Sequence, residues 1–443
     1  MNRSPHSLPI APTSNPIQAR YTQVRAQTQR LAAPLSDEDC QAQSMPDASP
    51  VKWHLAHVTW FFETFILERF EPEFTPFNPS FRVLFNSYYN AVGDKHPRAQ
   101  RGLLTRPSLQ EVLQWRAQVD ARMQLLLGSC DDPELTQLVE LGLQHEQQHQ
   151  ELLLTDVKHL LSCSALAPIY QKAWPLAVVA PVAPQWLPFE GGLVEIGHTG
   201  AGFAFDNESP RHKVWLAPYA LQNRAVTHGQ WLDFMRAGAY ADARWWLSAG
   251  WDWVNTQKIT APMYWQQLLD KNATNDGWHS FTLHGLVLID PHTPVTHISY
   301  YEADAYARWA SASSSADAGA RLPTEAEWEA AVAPQMQTLR AQGNFVESKA
   351  LHPMPVARTS SGLMQALGDV WEWTSSSYNG YPGYQAWAGA VGEYNGKFMV
   401  NQYVLRGGSC ATPAAHIRAS YRNFFPADAR WQFTGLRLAR DQH

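Results

Sequence analysis

The chain has 443 residues, 45% of them hydrophobic and 17% charged, which is ample material for two or three packed domains. A formal charge of −6 and a pI near 6.3 argue against a nucleic-acid partner, because binding phosphates needs a basic surface. Cys40, Cys130, Cys163 and Cys410 form no CxxC pair, which fits a reducing cytoplasm better than a disulfide framework or a cysteine metal site.

Residues 1–16 lack the apolar core of a signal peptide and read as a disordered N-terminus. No run reaches the roughly 18 apolar residues that a bilayer span requires, so the expectation is a cytoplasmic protein with no membrane contact. Residues 17–165 read as helices. The first is "PIQARYTQVRAQTQRLAAPL". The second opens at Ser49-Pro50, with serine as N-cap and proline at the first helical position, and carries a stripe of Trp53, His57, Trp60, Phe61 and Thr64. "RPSLQEVLQWRAQVDARMQLLL" supplies the third, and the fourth runs from Asp132-Pro133 to about Leu161. Four amphipathic helices predict a bundle, whose interior often houses metals.

Residues 166–187 are rich in proline and alanine and read as a linker. From 188 to 443 the texture changes: 15 of the 19 tryptophans lie beyond residue 185, among short apolar runs and glycine turns. "VTHGQWLDFMRAG" and "RLPTEAEWEAAVA" are the clearest helices of this half. The fold class expected is therefore α+β in two domains, a helical bundle followed by a compact, irregular domain. "EGGLVEIGHTGAGF" has neither Rossmann nor Walker spacing, so no nucleotide loop is present there.

Within the fourth helix, "LGLQHEQQHQELLLTD" places His145 and His149 four apart, on one helical face with Leu138, Leu141 and Leu152. The pentad also reads as HExxH. A zinc hydrolase built on it would need Glu146 as base and a third ligand downstream. Thr155 stands where one such class has histidine, and the next glutamate after Glu151 is Glu190, past the linker. His57 is the better third ligand, with His54 as the alternative one turn earlier. Three imidazoles without a carboxylate would leave open positions on iron(II), Fe(2+), for dioxygen and substrates.

"SPVKWHLAHVTWFFETF", "LFNSYYNAVG", "RGLLTRPS" and "HEQQHQELLLTD" together resemble the non-haem iron sulfoxide synthases of ergothioneine biosynthesis. "FDNESPRHKV", "RLPTEAEWEAA", "GDVWEWTSSSY", "VLRGGSC" and "RNFFPADARWQFTGLRLAR" resemble the formylglycine-generating-enzyme fold attached to them. The resemblance implies a DinB-like four-helix bundle packed on a C-type-lectin-like domain, with the active site between the two. It implies His57, His145 and His149 as iron ligands, Gln148 on the substrate imidazole, and Tyr88 or Tyr89 as the catalytic tyrosine. The substrate implied is hercynine, N-alpha-trimethylhistidine. Asn423 and Phe424 fall where the family contacts its quaternary ammonium, which aromatic faces can hold. Arg98 and Arg101 resemble the pair that holds the carboxylate of a sulfur donor. The first third is most similar to the selenoneine synthase subgroup, which implies a selenosugar donor; the alternative is cysteine or gamma-glutamylcysteine, with O2 as co-substrate in either case. A copper-dependent formylglycine-generating oxidase would need a cysteine pair, and the second half contains only Cys410. A non-catalytic lectin-like binding module is the other competing class.

Overall fold

The computed structural model describes residues 15–129, 131–172, 180–268, 277–356 and 361–442. The expected disordered stretch 1–16 falls outside these except for its last two residues, as do Cys130 and residues 173–179 of the expected linker. No helix among the described residues is long and apolar enough to cross a membrane.

Four long helices build the first half: α1 (Pro16–Ala32), α2 (Val51–Phe62), α3 (Leu109–Ser129) and α4 (Pro133–Ser162). Asn15 accepts a hydrogen bond from the Ile17 amide and Asp132 from those of Glu134 and Leu135, each followed by a proline that has no amide to leave unpaired. At α2 the expected cap differs. The helix starts at Val51 without a side-chain cap, because the Ser49 hydroxyl accepts from Arg101 and its amide donates to Asp156. The expected stripe on α2 is also wider than a stripe, since all twelve residues are buried. Other helices cover one side and the second half of the chain covers another, so the periodicity reports only part of the packing.

The centre of the bundle is ionic. Glu146, fully buried, accepts from Arg25 at 2.9 Å, from Arg116 at 2.5 Å and from Thr28 at 2.6 Å. Burial alone would raise the Glu146 pKa, but the two guanidiniums outweigh it and hold the group at about 2.

The second half is a patchwork of short sheets. Strands β1 (Trp186–Phe189) and β12 (Ala439–Asp441) flank β4 (Tyr219–Gln222), both antiparallel to it, so the two ends of this half lie side by side. β2 (Gly192–Ile196) and β3 (His212–Leu216) form a ribbon, and β5 (Trp265–Gln267), β6 (Trp278–Thr282) and β7 (Gly285–Leu288) a three-stranded meander. The central sheet runs β10 (Asn423–Pro426), β9 (Gln402–Arg406), β8 (Trp371–Ser377), β11 (Thr434–Gly435). Helices α5 (His228–Arg236) and α7 (Glu325–Val332) match the two expected from sequence, each opened by a threonine in a capping box. α6 (Tyr300–Ser313) was not singled out by pattern; its alanine-rich buried face shows little contrast with the rest. Trp231, Trp328, Trp371 and Trp373 fill the core, and Arg437 bridges Glu372 within it.

The two halves are joined by polar contacts. Glu151 of α4 accepts from Trp371, Ser409 and Thr412. Glu393 accepts from the amides of Asn90 and Ala91, which pins the tyrosine loop to the second half.

Candidate metal centre and substrate cavity

α2 and α4 bring His57, His145 and His149 together. Their ligand atoms lie within 4.8 Å of one another, and among the described residues no other group of histidine, cysteine or carboxylate side chains meets this spacing. Burial holds all three imidazoles neutral, His145 down to about 4 and the other two well below the usual histidine range. A neutral ring is the form that binds a metal.

Hydrogen bonds settle which nitrogen of two rings is free. His57 Nδ1 donates to the Phe85 carbonyl at 2.6 Å, leaving Nε2 open. Asp156 Oδ2 takes the Ser49 amide at 2.8 Å and His54 Nε2 at 3.0 Å. His54 Nδ1 must then accept, and it lies 2.8 Å from His149 Nδ1, so His149 also keeps Nε2 for a ligand. Among the described residues the buried Nδ1 of His145 has no hydrogen-bond partner, and its ring makes no hydrogen bond that would compete with a metal. The residues therefore fit a metal held by three imidazoles. His54 stands outside that group and links His149 to the Asp156 carboxylate.

The ring of His57 is also held from both faces. Trp53 stacks on it at 4.5 Å and 14°, and Trp60 on the other side at 5.4 Å and 14°. The Arg101 guanidinium caps this column, 3.3 Å from the Trp53 ring centre. Sequence pattern marked the tryptophans as core residues, and their support of a ligand was missed; the i, i+4 spacing of Trp53 and His57 is the signal that could have found it.

Glu146 points elsewhere. Its carboxylate is committed to Arg25, Arg116 and Thr28 at the bundle centre, about 100° around α4 from His145. It cannot serve as base to a water at the triad, which removes the zinc-hydrolase reading of HExxH.

The triad lines a cavity of about 260 Å³ whose walls come from both halves. All the expected site residues line it: Tyr88, Tyr89, Arg98, Arg101, Gln148, Asn423 and Phe424. Tyr89 is buried against Trp60 and Phe65, and burial pushes its pKa up. Tyr88 packs its ring on Tyr394 and Phe398, and its hydroxyl accepts from Arg98 at 2.6 Å. Arg98 also donates to the Asp47 carbonyl, and Arg101 donates to Ser49 and Ser87 at 2.8 Å each. Phe424 stacks on Tyr378 at 4.0 Å and leans on Phe398, while Asn423 accepts from the Phe424 amide. Gln148 donates to the Tyr421 hydroxyl at 2.8 Å. Tyr421, Trp371, Tyr394 and Phe398 also line the cavity, and no motif spacing pointed to them.

Comparison with known proteins agrees with this two-part construction. Residues 20–153 match the DinB superfamily model, and 178–442 match the sulfatase-modifying factor enzyme 1-like domain. The chain is 30% identical to a hercynine oxygenase of Mycolicibacterium thermoresistibile over 94% of its own length and 93% of that protein's. A hercynine oxygenase of Mycobacterium tuberculosis is likewise 30% identical, over 94% of this chain and 96% of its own. A formylglycine-generating enzyme of Streptomyces coelicolor is 30% identical over 57% of this chain and 87% of its own. With a DinB-like helical domain and a C-type-lectin-like domain aligned end to end with those relatives, the chain belongs to the hercynine oxygenase family of ergothioneine-biosynthesis type.

Proposed function

We propose that this protein is an iron(II)- and dioxygen-dependent oxidoreductase that joins a chalcogen to C2 of the hercynine imidazole. The carrying observation is a carboxylate-free imidazole triad facing an aromatic wall across one cavity. Iron held by His57, His145 and His149 would supply dioxygen binding and one-electron chemistry.

The chain's own residues do the rest. Gln148 lies one residue from a ligand and meets the substrate ring. Tyr394, Phe398 and Phe424 offer ring faces to the trimethylammonium, which can donate no hydrogen bond. Tyr89 carries its proton at neutral pH, as an ordinary phenol does and as its burial reinforces, so it can deliver that proton at the reacting centre. Tyr88 is the alternative, with its hydroxyl already held by Arg98.

For the donor we propose a selenosugar, with selenoneine as the eventual product. A selenol is more acidic than a thiol and presents an anion at neutral pH without an added base. Arg98 and Arg101, which would clamp the carboxylate of a cysteine-type donor, both have protein partners. One observation favours the alternative, a sulfoxide synthase using cysteine or gamma-glutamylcysteine. Among the described residues no carboxylate forms an ion pair with the buried Arg101, its pKa pushed down to about 9 by burial, and a donor carboxylate would relieve it.

The test is direct competition. Iron-loaded protein, hercynine and oxygen are given equal selenoglucose, cysteine and gamma-glutamylcysteine, and products are resolved by mass. Dominant selenium coupling supports the proposal. Dominant sulfoxide, with cysteine use weakened by Arg101→Ala, establishes the alternative.

A further inference from the structure

We infer that Tyr421 is a positioning residue that fixes the orientation of the Gln148 amide, so that Gln148 presents its carbonyl oxygen and not its NH2 group to the substrate ring. The inference rests on the reading that Gln148 meets the hercynine imidazole, and it adds which end of Gln148 does so and why.

A directional hydrogen-bond chain carries it, running from the edge of the bundle to the cavity. It begins at Glu140, a carboxylate paired with Arg20, which as an ionised group can only accept. Gln144 donates to it through Nε2 at 2.8 Å, so the other end of that amide, Oε1, faces His416. His416 Nδ1 lies 2.6 Å from that oxygen and must therefore carry the proton. Burial, with Arg418 and Arg20 nearby, lowers the His416 pKa well below the usual range, so the ring is neutral and its Nε2 is an acceptor. The Tyr421 hydroxyl, 3.1 Å away, gives its single proton to that nitrogen. Having donated there, the Tyr421 oxygen can only accept from Gln148, as it does from Nε2 at 2.8 Å. Gln148 Oε1 is left facing the cavity, with no partner among the described residues.

An amide free to rotate would offer a donor or an acceptor to the ring with little preference. The chain removes that choice and favours an imidazole that brings an N–H to Gln148. His416 and Tyr421 come from the second half and Gln144 and Gln148 from α4, so the selection exists only once the halves are packed together.

The experiment is a double-mutant cycle on hercynine affinity, measured by calorimetry on the iron-loaded protein without oxygen. Tyr421→Phe keeps the ring and removes the hydroxyl; it should weaken hercynine about 10-fold, the size of one misplaced hydrogen bond to the ligand. In a Gln148→Ala background the same substitution should cost less than about 2-fold. His416→Leu, which leaves the Tyr421 proton free to turn toward Gln148, should show the same dependence on Gln148 and serves if Tyr421→Phe does not fold. Equal losses in both backgrounds, or no loss from either substitution, would overturn the inference. Wild-type protein that does not bind hercynine at all would overturn the functional reading beneath it, a result distinct from additive losses.

Discussion

The two halves handle buried charge in opposite relation to chemistry. In the bundle, Arg25, Arg116 and Glu146 form an ion network at the centre, and the histidines of the same helix face away from it toward the cavity. In the second half, Arg437–Glu372 and Arg422–Glu325 brace the sheet, and no ligand atom of the triad comes from it. The bundle thus places the candidate ligand atoms on α2 and α4, where close packing resists a shift of any one side chain. The second half contributes aromatic faces and one hydrogen-bond relay from short strands and loops.

The largest expected break in that division is at the triad. Replacing His57, His145 or His149 with alanine should lower turnover by at least about 10³-fold and remove most bound metal while circular dichroism stays native; metal analysis of the purified variants checks it. Full metal occupancy in His57→Ala would mean that the ligand set is wrong.

Next comes Glu146, which separates the ion network from the metal site on the same helix. Glu146→Ala leaves two buried guanidiniums without their carboxylate and should destabilise the fold by about 3–5 kcal/mol in chemical denaturation. Its folded pKa of about 2 lies below the ordinary 4.5, so its contribution is fully present above the ordinary value. It is lost as pH falls from about 4.5 through about 2, and Glu146→Gln should flatten that part of the stability–pH curve. A catalytic base would instead show unchanged stability and lost activity.

Tyr89→Phe should slow coupling about 10²-fold or divert turnover to oxidation of the donor, with hercynine affinity within 2-fold of wild type, as read by product analysis and calorimetry. Unchanged product rates would move the assignment to Tyr88. His54→Ala, which removes the support of His149 but no ligand atom, should weaken metal affinity about 10- to 100-fold without abolishing it. At the small end, Phe424→Ala should weaken hercynine by about 1–2 kcal/mol and leave metal binding intact. Loss of metal in that variant would contradict the division between the halves.

Much of the bundle's site was legible because helical spacing is local. His145, Gln148 and His149 share a face by periodicity alone, and the Asp132-Pro133 cap that starts α4 stands where the pattern put it. The wall contributed by the second half was legible only in part. Asn423 and Phe424 came from a resemblance, whereas Tyr394, Phe398 and Tyr421 come from loops whose approach no periodicity encodes.

By itself the sequence determined the four long helices of the bundle, the cap of α4, the two-domain division of texture and the pairing of His145 with His149, because each follows from interactions between residues a few positions apart. Only the tertiary structure groups His57, and not His54, with His145 and His149; both lie on α2, and what separates them is the Phe85 carbonyl on one ring and Asp156 on the other. It also decided that Glu146 belongs to the ion network. Residues one position apart on a helix point about 100° from each other, and the direction acquires chemical meaning only when α1 and α3 bring Arg25 and Arg116 to meet it.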